Sequence, residues 1–119
     1  MTAEKNRPLT DVELDLVRWM LEHGTAEAKP YLDQVEFAEV ISWRCSCGCA
    51  SIMFQIKGHP EPPPGIFVLG DFLMGEGDHL SGAFIYSSAG LLRGIELNGL
   101  AGEAPRRLPN PGDLRVFEP

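Results

Sequence analysis

The sequence predicts an α+β domain in which an N-terminal helix, with a short second helix, packs on a mostly antiparallel sheet of about five strands. Three observations carry that expectation. A capped segment of helical period occupies residues 9–24, apolar residues alternate with period two from Val35 onward, and no helical stretch lies between the later strands. Parallel pairing would need such crossovers, so a βαβ architecture is disfavoured. The 119 residues fit a single domain, 1–119, with a polar lead-in at 1–8 and a proline-rich tail at 102–119. That length can bury a core without help from disulfides or metal.

The helix is announced by Leu9-Thr10-Asp11-Val12-Glu13-Leu14. Thr10 can cap the first turn while Glu13 reaches back to the Thr10 amide, and Leu9 with Leu14 can close a hydrophobic staple. Leu14, Val17 and Leu21 recur at helical spacing, with Leu16, Trp19 and Met20 widening the apolar side and Glu13, Asp15, Arg18 and Glu22 on the wet face. Gly24 then ends the helix as a residue tolerant of the left-handed conformation. A second, shorter helical turn is expected at 30–34, because Pro30 suits a first helical position.

Each strand follows from alternation. Phe37, Ile41 and Trp43 project one way and Ala38, Val40 and Ser42 the other; Ile52, Phe54 and Ile56 then alternate with Ser51, Met53, Gln55 and Lys57. These two strands suggest a hairpin whose connection is the cysteine stretch, with a turn at Cys47-Gly48. Residues 58–65 contain four prolines, which lack the amide donor of a ladder, so they read as a stiff exposed connector before a strand at 66–73. After a glycine-rich loop at 75–78, residues 83–86 and 91–97 form another strand pair across Ser87-Ser88-Ala89-Gly90. The tail is expected to run over the surface, anchored by Leu108, Leu114, Val116 and Phe117.

Charge narrows the function classes. The formal net charge is −7, a surface that repels phosphate backbones and anionic lipid headgroups, so neither nucleic acid nor membrane is an expected partner. No apolar run approaches the roughly 20 residues of a membrane span, and residues 1–10 lack a signal-peptide core, so the chain reads as cytoplasmic. An odd cysteine count agrees with a reducing compartment.

All three cysteines fall in Arg44-Cys45-Ser46-Cys47-Gly48-Cys49-Ala50-Ser51. Cys45, Cys47 and Cys49 share one parity, so a continuing strand would crowd them on one face and a turn would splay them apart. Thiolates bind soft metals, and a three-cysteine, one-histidine site completed by His59 would take zinc; no other cofactor is expected. His23 and His79 are the alternative histidines. Against metal, the usual structural zinc pattern is two separated CxxC pairs, whereas this spacing is CxCGC with no second pair. Structural thiols are the commoner fate of such residues.

Other chemistry has ingredients without a signature. A thiol nucleophile at Cys47 or Cys49, a histidine and Asp71 or Asp78 could in principle assemble, but no nucleophile-elbow context surrounds any Cys or Ser. Asp71, Glu76, Asp78, His79 and Glu96 form an acidic cluster around the later strands that matches neither a calcium-binding nor a phosphate-binding loop, so a solvated acidic loop is the favoured reading. Glu96 stands out because it interrupts the alternation of Leu91, Ile95 and Leu97 on the opposite parity and faces solvent or a groove, solvent being the favoured reading. Trp19, Trp43, Phe54, Phe67, Phe72, Phe84 and Tyr86 read mostly as core by period.

The combination of the 9–14 helix start, the cysteine stretch and Gly90-Leu91-Leu92-Arg93-Gly94-Ile95-Glu96-Leu97 resembles a family of small uncharacterised bacterial proteins with an RCSCGCxSI-type motif. The resemblance implies a bacterial cytoplasmic origin and designates no catalytic residue. Two functions from different classes follow from the residues. The first is a small acidic interaction or ligand-binding domain without catalytic activity, of the kind that neutralises a basic partner as immunity proteins do. The second is a metal-binding or redox-active thiol protein built on the CxCGC turn. The expected partner is a protein or small ligand, and an exposed strand edge also leaves a homodimer open.

Overall fold

The computed structural model describes residues 6–41 and 50–116. The chain forms β1 (Arg7–Pro8), helix α1 (Asp11–Glu22), a 3-10 stretch at Lys29–Phe37, β2 (Ala38–Val40), β3 (Ile52–Ile56), β4 (Phe67–Met74), β5 (Ser81–Ser88), β6 (Leu91–Gly99) and β7 (Arg115–Val116). All strands belong to one antiparallel sheet in the order β1-β2-β3-β6-β5-β4-β7. The α+β class and the antiparallel sheet are therefore as expected, but the sheet has seven strands among the described residues rather than about five. The two extra strands are the edges. Each is two residues long, too short to carry a period, and each exists only because a longer neighbour offers it a ladder.

The capping box forms as the sequence predicts: the Glu13 amide donates to Thr10 Oγ1 at 3.2 Å and the Thr10 amide to Glu13 Oε1 at 2.9 Å. Glu13 is not on the wet face, however. It is buried because both its oxygens accept from Arg7, at 2.8 and 2.9 Å, which ties β1 to the first turn of α1. Leu16, Val17, Met20 and Leu21 are fully buried with Phe72 and Ile85, and α1 lies against β4 and β5. Trp19 is half-buried, tilted onto Phe72 and stacked on His23 with centroids 4.2 Å apart.

Gly24 follows the helix without adopting the left-handed conformation; His23 is the terminal cap. What excludes a side chain there is proximity. A Cβ on Gly24 would run into the Leu69 carbonyl, which accepts from the Thr25 amide at 2.8 Å. The second helical segment is longer than 30–34 and of 3-10 type, and it extends to Phe37, so β2 starts three residues later than the alternation suggests. Ala38 and Val40 turn to the core while Phe37 is exposed. The pairing of β2 with β3 follows the hairpin expectation. Residues 42–49, and with them the proposed turn at Cys47-Gly48, lie outside the described residues, as does Phe117.

β6 returns to lie beside β3, so the connection from β3 to β4 must pass across β6 and β5. The proline loop makes that crossing: the Ser88 hydroxyl donates to the Pro63 carbonyl at 2.6 Å and Arg93 approaches Glu61 at 4.0 Å. β5 and β6 join through Ala89-Gly90 alone, both with positive φ, so Ser87 and Ser88 belong to the strand rather than the turn. The tail comes back to the sheet edge as β7, with Leu114 buried against the core.

Candidate functional site

Of the metal ligands proposed from sequence, His59 alone lies among the described residues. Cys45, Cys47 and Cys49 lie outside the described residues. His59 is exposed in the turn after β3, its carbonyl accepting from Gln55 at 3.2 Å. Glu76, Asp78 and His79 are exposed at the β4–β5 connection, where Gly75 and Gly77 take positive φ. His23 is held on Trp19, with its Nδ1 2.8 Å from the Trp19 carbonyl. Among the described residues no group of three histidine, cysteine or carboxylate side chains is placed to hold a metal ion.

Asp71 and Glu96 are brought together, with a residue that periodicity assigned to the core. Alternation along β5 sends Ala83 and Ile85 into the core under α1 and turns Gly82, Phe84 and Tyr86 to the opposite, outer face. In the ladder Phe84 pairs with Asp71 of β4 on one side and Glu96 of β6 on the other. The outer face thus carries a row Asp71–Phe84–Glu96, two carboxylates flanking a half-buried ring. Two strand spacings put their backbones roughly 10 Å apart. The next row, Leu73–Gly82–Asn98, follows the same register.

Val68 and Leu100 join Asp71, Phe84 and the Leu73–Gly82–Asn98 row in lining a shallow, mainly apolar cleft of about 270 Å³, with Glu96 outside the lining, next to Phe84 on β6. Its floor is open because Gly82 has no side chain; a Cβ there would stand 2.6 Å from Asn98 Oδ1. Val68 and Leu100 remain 40% and 51% exposed, so apolar surface borders the cleft on both sides instead of closing it.

Two bulges frame the row above. Leu69 is the extra residue of β4 and Arg93 that of β6, and both irregularities flank Tyr86. Arg93 is buried and donates to the Phe54 carbonyl at 2.8 Å, replacing a backbone bond where the bulge parts β6 from β3. Tyr86 tilts toward Phe84, centroids 5.7 Å apart, and reaches over Gly94, where a Cβ would meet its hydroxyl at 3.0 Å.

The charged side chains of the row itself, Asp71 and Glu96, are both acidic. Burial against the apolar cleft holds the Asp71 carboxyl above its ordinary value, opposed by the Phe72 amide. Burial also raises the Tyr86 phenol, with Glu96 adding to the rise and Arg93 opposing it, so Tyr86 stays a neutral hydroxyl and has no tendency to act as a base. Among the described residues neither Asp71 nor Glu96 has an ion-pair partner; the nearby cation, Arg93, is occupied by the Phe54 carbonyl and Glu61. Phe84 was the residue that sequence reasoning missed. The signal lay in β5 itself, where Phe84 and Tyr86 stand on the parity opposite Ala83 and Ile85, so the strand is apolar on both faces, the outer one buried at Tyr86 and only half-buried at Phe84.

Among the described residues no helix is long and apolar enough to cross a membrane. Comparison with known proteins finds no matching family model, no matching curated protein and no matching solved structure.

Proposed function

We propose that the protein is an acidic interaction module that docks a basic protein partner on the outer face of its sheet. The carrying observation is the open apolar cleft between β4, β5 and β6, with Asp71 and Glu96, which have no ion-pair partner among the described residues, on either side of Phe84. Apolar contact supplies affinity in such an interface, and the carboxylates supply orientation and discrimination against acidic surfaces. The net charge of −7 adds long-range attraction for a cationic partner, in the manner of an immunity protein neutralising a basic target. The same charge opposes pairing of two copies through this face.

The test is titration of the wild type and the Asp71→Asn/Glu96→Gln double variant with basic and neutral protein domains at low and high ionic strength. Binding that is confined to basic domains, weakens with salt and drops in the double variant supports the reading. Binding indifferent to salt, or no binding to any basic domain, removes it.

A further inference from the structure

We infer that the outer-face cleft receives one arginine side chain of the partner, its guanidinium stacked on Phe84 between Asp71 and Glu96 and its methylene stem against Val68, Leu73 and Leu100. This deepens the docking reading above and rests on it. The register is the first argument: Phe84 is paired directly with both carboxylate residues, so a cation over the ring has an acid on each side. Cations bind aromatic faces within about 6 Å of the centroid, a distance comparable to the reach from the ring to either neighbouring strand.

Size is the second argument. A cleft of about 270 Å³ falls below the roughly 300–1,000 Å³ of sites that enclose a whole small molecule, and suits one long side chain. The third is the division of surface. The lining is mostly apolar at Val68, Leu73 and Leu100 and charged only beside the ring, which matches a side chain with a methylene stem and a cationic head. Arginine fits better than lysine because a planar guanidinium can stack on the ring and still direct N–H groups in its own plane to carboxylates on both sides, whereas an ammonium is a compact, strongly hydrated point charge. The exposed Asp71 carboxylate, lining the apolar cleft and now without a counter-charge among the described residues, would gain one.

The experiment is an NMR titration of the full chain with the peptide acetyl-Ala-Arg-Ala-amide, beside its citrulline and lysine counterparts. Citrulline keeps the shape of arginine without the charge. The expected result is saturable shifts centred on Asp71, Phe84 and Glu96 with the arginine peptide, several-fold weaker binding with lysine, and none with citrulline. Phe84→Leu, checked for folding by circular dichroism and thermal midpoint, should weaken the arginine peptide by roughly two- to thirty-fold. Equal shifts with arginine and citrulline, unsaturable shifts spread over the acidic surface, or unchanged binding by Phe84→Leu would overturn the inference. A second copy's arginine occupying the cleft would show as concentration-dependent self-association and would also overturn it. If basic domains still bind through Asp71 and Glu96 while the peptide does not, the arginine receptor fails and the docking module stands; if neither binds, both fail.

Discussion

Glu13 serves two elements at once, accepting from the Thr10 amide inside the helix and from both terminal nitrogens of Arg7 outside it. The Arg7 hydrogen bond is the main reason its carboxyl lies below the ordinary value, with burial acting against it. A depressed folded pKa contributes stability that is fully present above the unfolded value, near 4.3, and is lost as pH falls through the folded one. Arg7 is 49% exposed, so solvent screens the pair, and Glu13→Gln should lower the unfolding free energy at neutral pH by about 1 kcal/mol. Denaturant titrations at pH 7 and pH 3 check this: the gap between variant and wild type should narrow on acidification.

Asp71 has the opposite sign. Its folded pKa is raised by burial, so its ionised form opposes folding, and stability from this group falls as pH rises through the raised value. Asp71→Asn should therefore melt at or above the wild-type temperature at neutral pH while binding a basic partner more weakly. A variant that loses stability and binding together would assign Asp71 to the fold instead of the site.

Among the elements, the β5–β6 hairpin sets the geometry of the outer face. Its two-residue turn places Ala89 at φ 52° and Gly90 at φ 82°, the mirror-image turn that matches strand twist. Glycine takes this conformation freely and alanine does not, so Ala89→Asn should stabilise the protein by about 0.5–1 kcal/mol, read from the denaturation midpoint at unchanged slope. At the other end of the hairpin's reach, Gly94 is confined by neighbours: a Cβ would stand 2.5 Å from the Ile52 carbonyl and 3.0 Å from the Tyr86 hydroxyl. The close approach of β3 to β6 and the lie of Tyr86 both depend on that missing side chain. Gly90 is legible from sequence as a turn residue, but Gly94 is not, because its constraint comes from a strand some forty positions away.

At the scale of the whole molecule, the chain carries a net charge of −7 and sets the Asp71 carboxylate among the apolar side chains that line the cleft. Distributed charge governs encounter and local contacts govern residence. Removing exposed acids remote from the cleft, as in Glu22→Gln/Glu27→Gln, should slow association with a basic partner and leave dissociation unchanged. The Asp71→Asn/Glu96→Gln pair should mainly speed dissociation. Surface-bound kinetics at two ionic strengths separate the two effects.

The sequence by itself determined what neighbouring residues decide among themselves. Thr10 and Glu13 fixed the helix start through bonds three residues apart, Ile52, Phe54 and Ile56 declared a strand by parity, and the glycines at 75, 77 and 90 marked turns. Glu96 was singled out on the parity opposite Leu91, Ile95 and Leu97. Tertiary structure alone decided the strand order, the two edge strands and which face of β5 leaves Phe84 only half-buried. Parity distinguishes the two faces of Phe84's strand but does not say which one α1 covers. That depends on packing between segments separated by sixty or more residues, and the same packing sets Asp71, Phe84 and Glu96 side by side in one row.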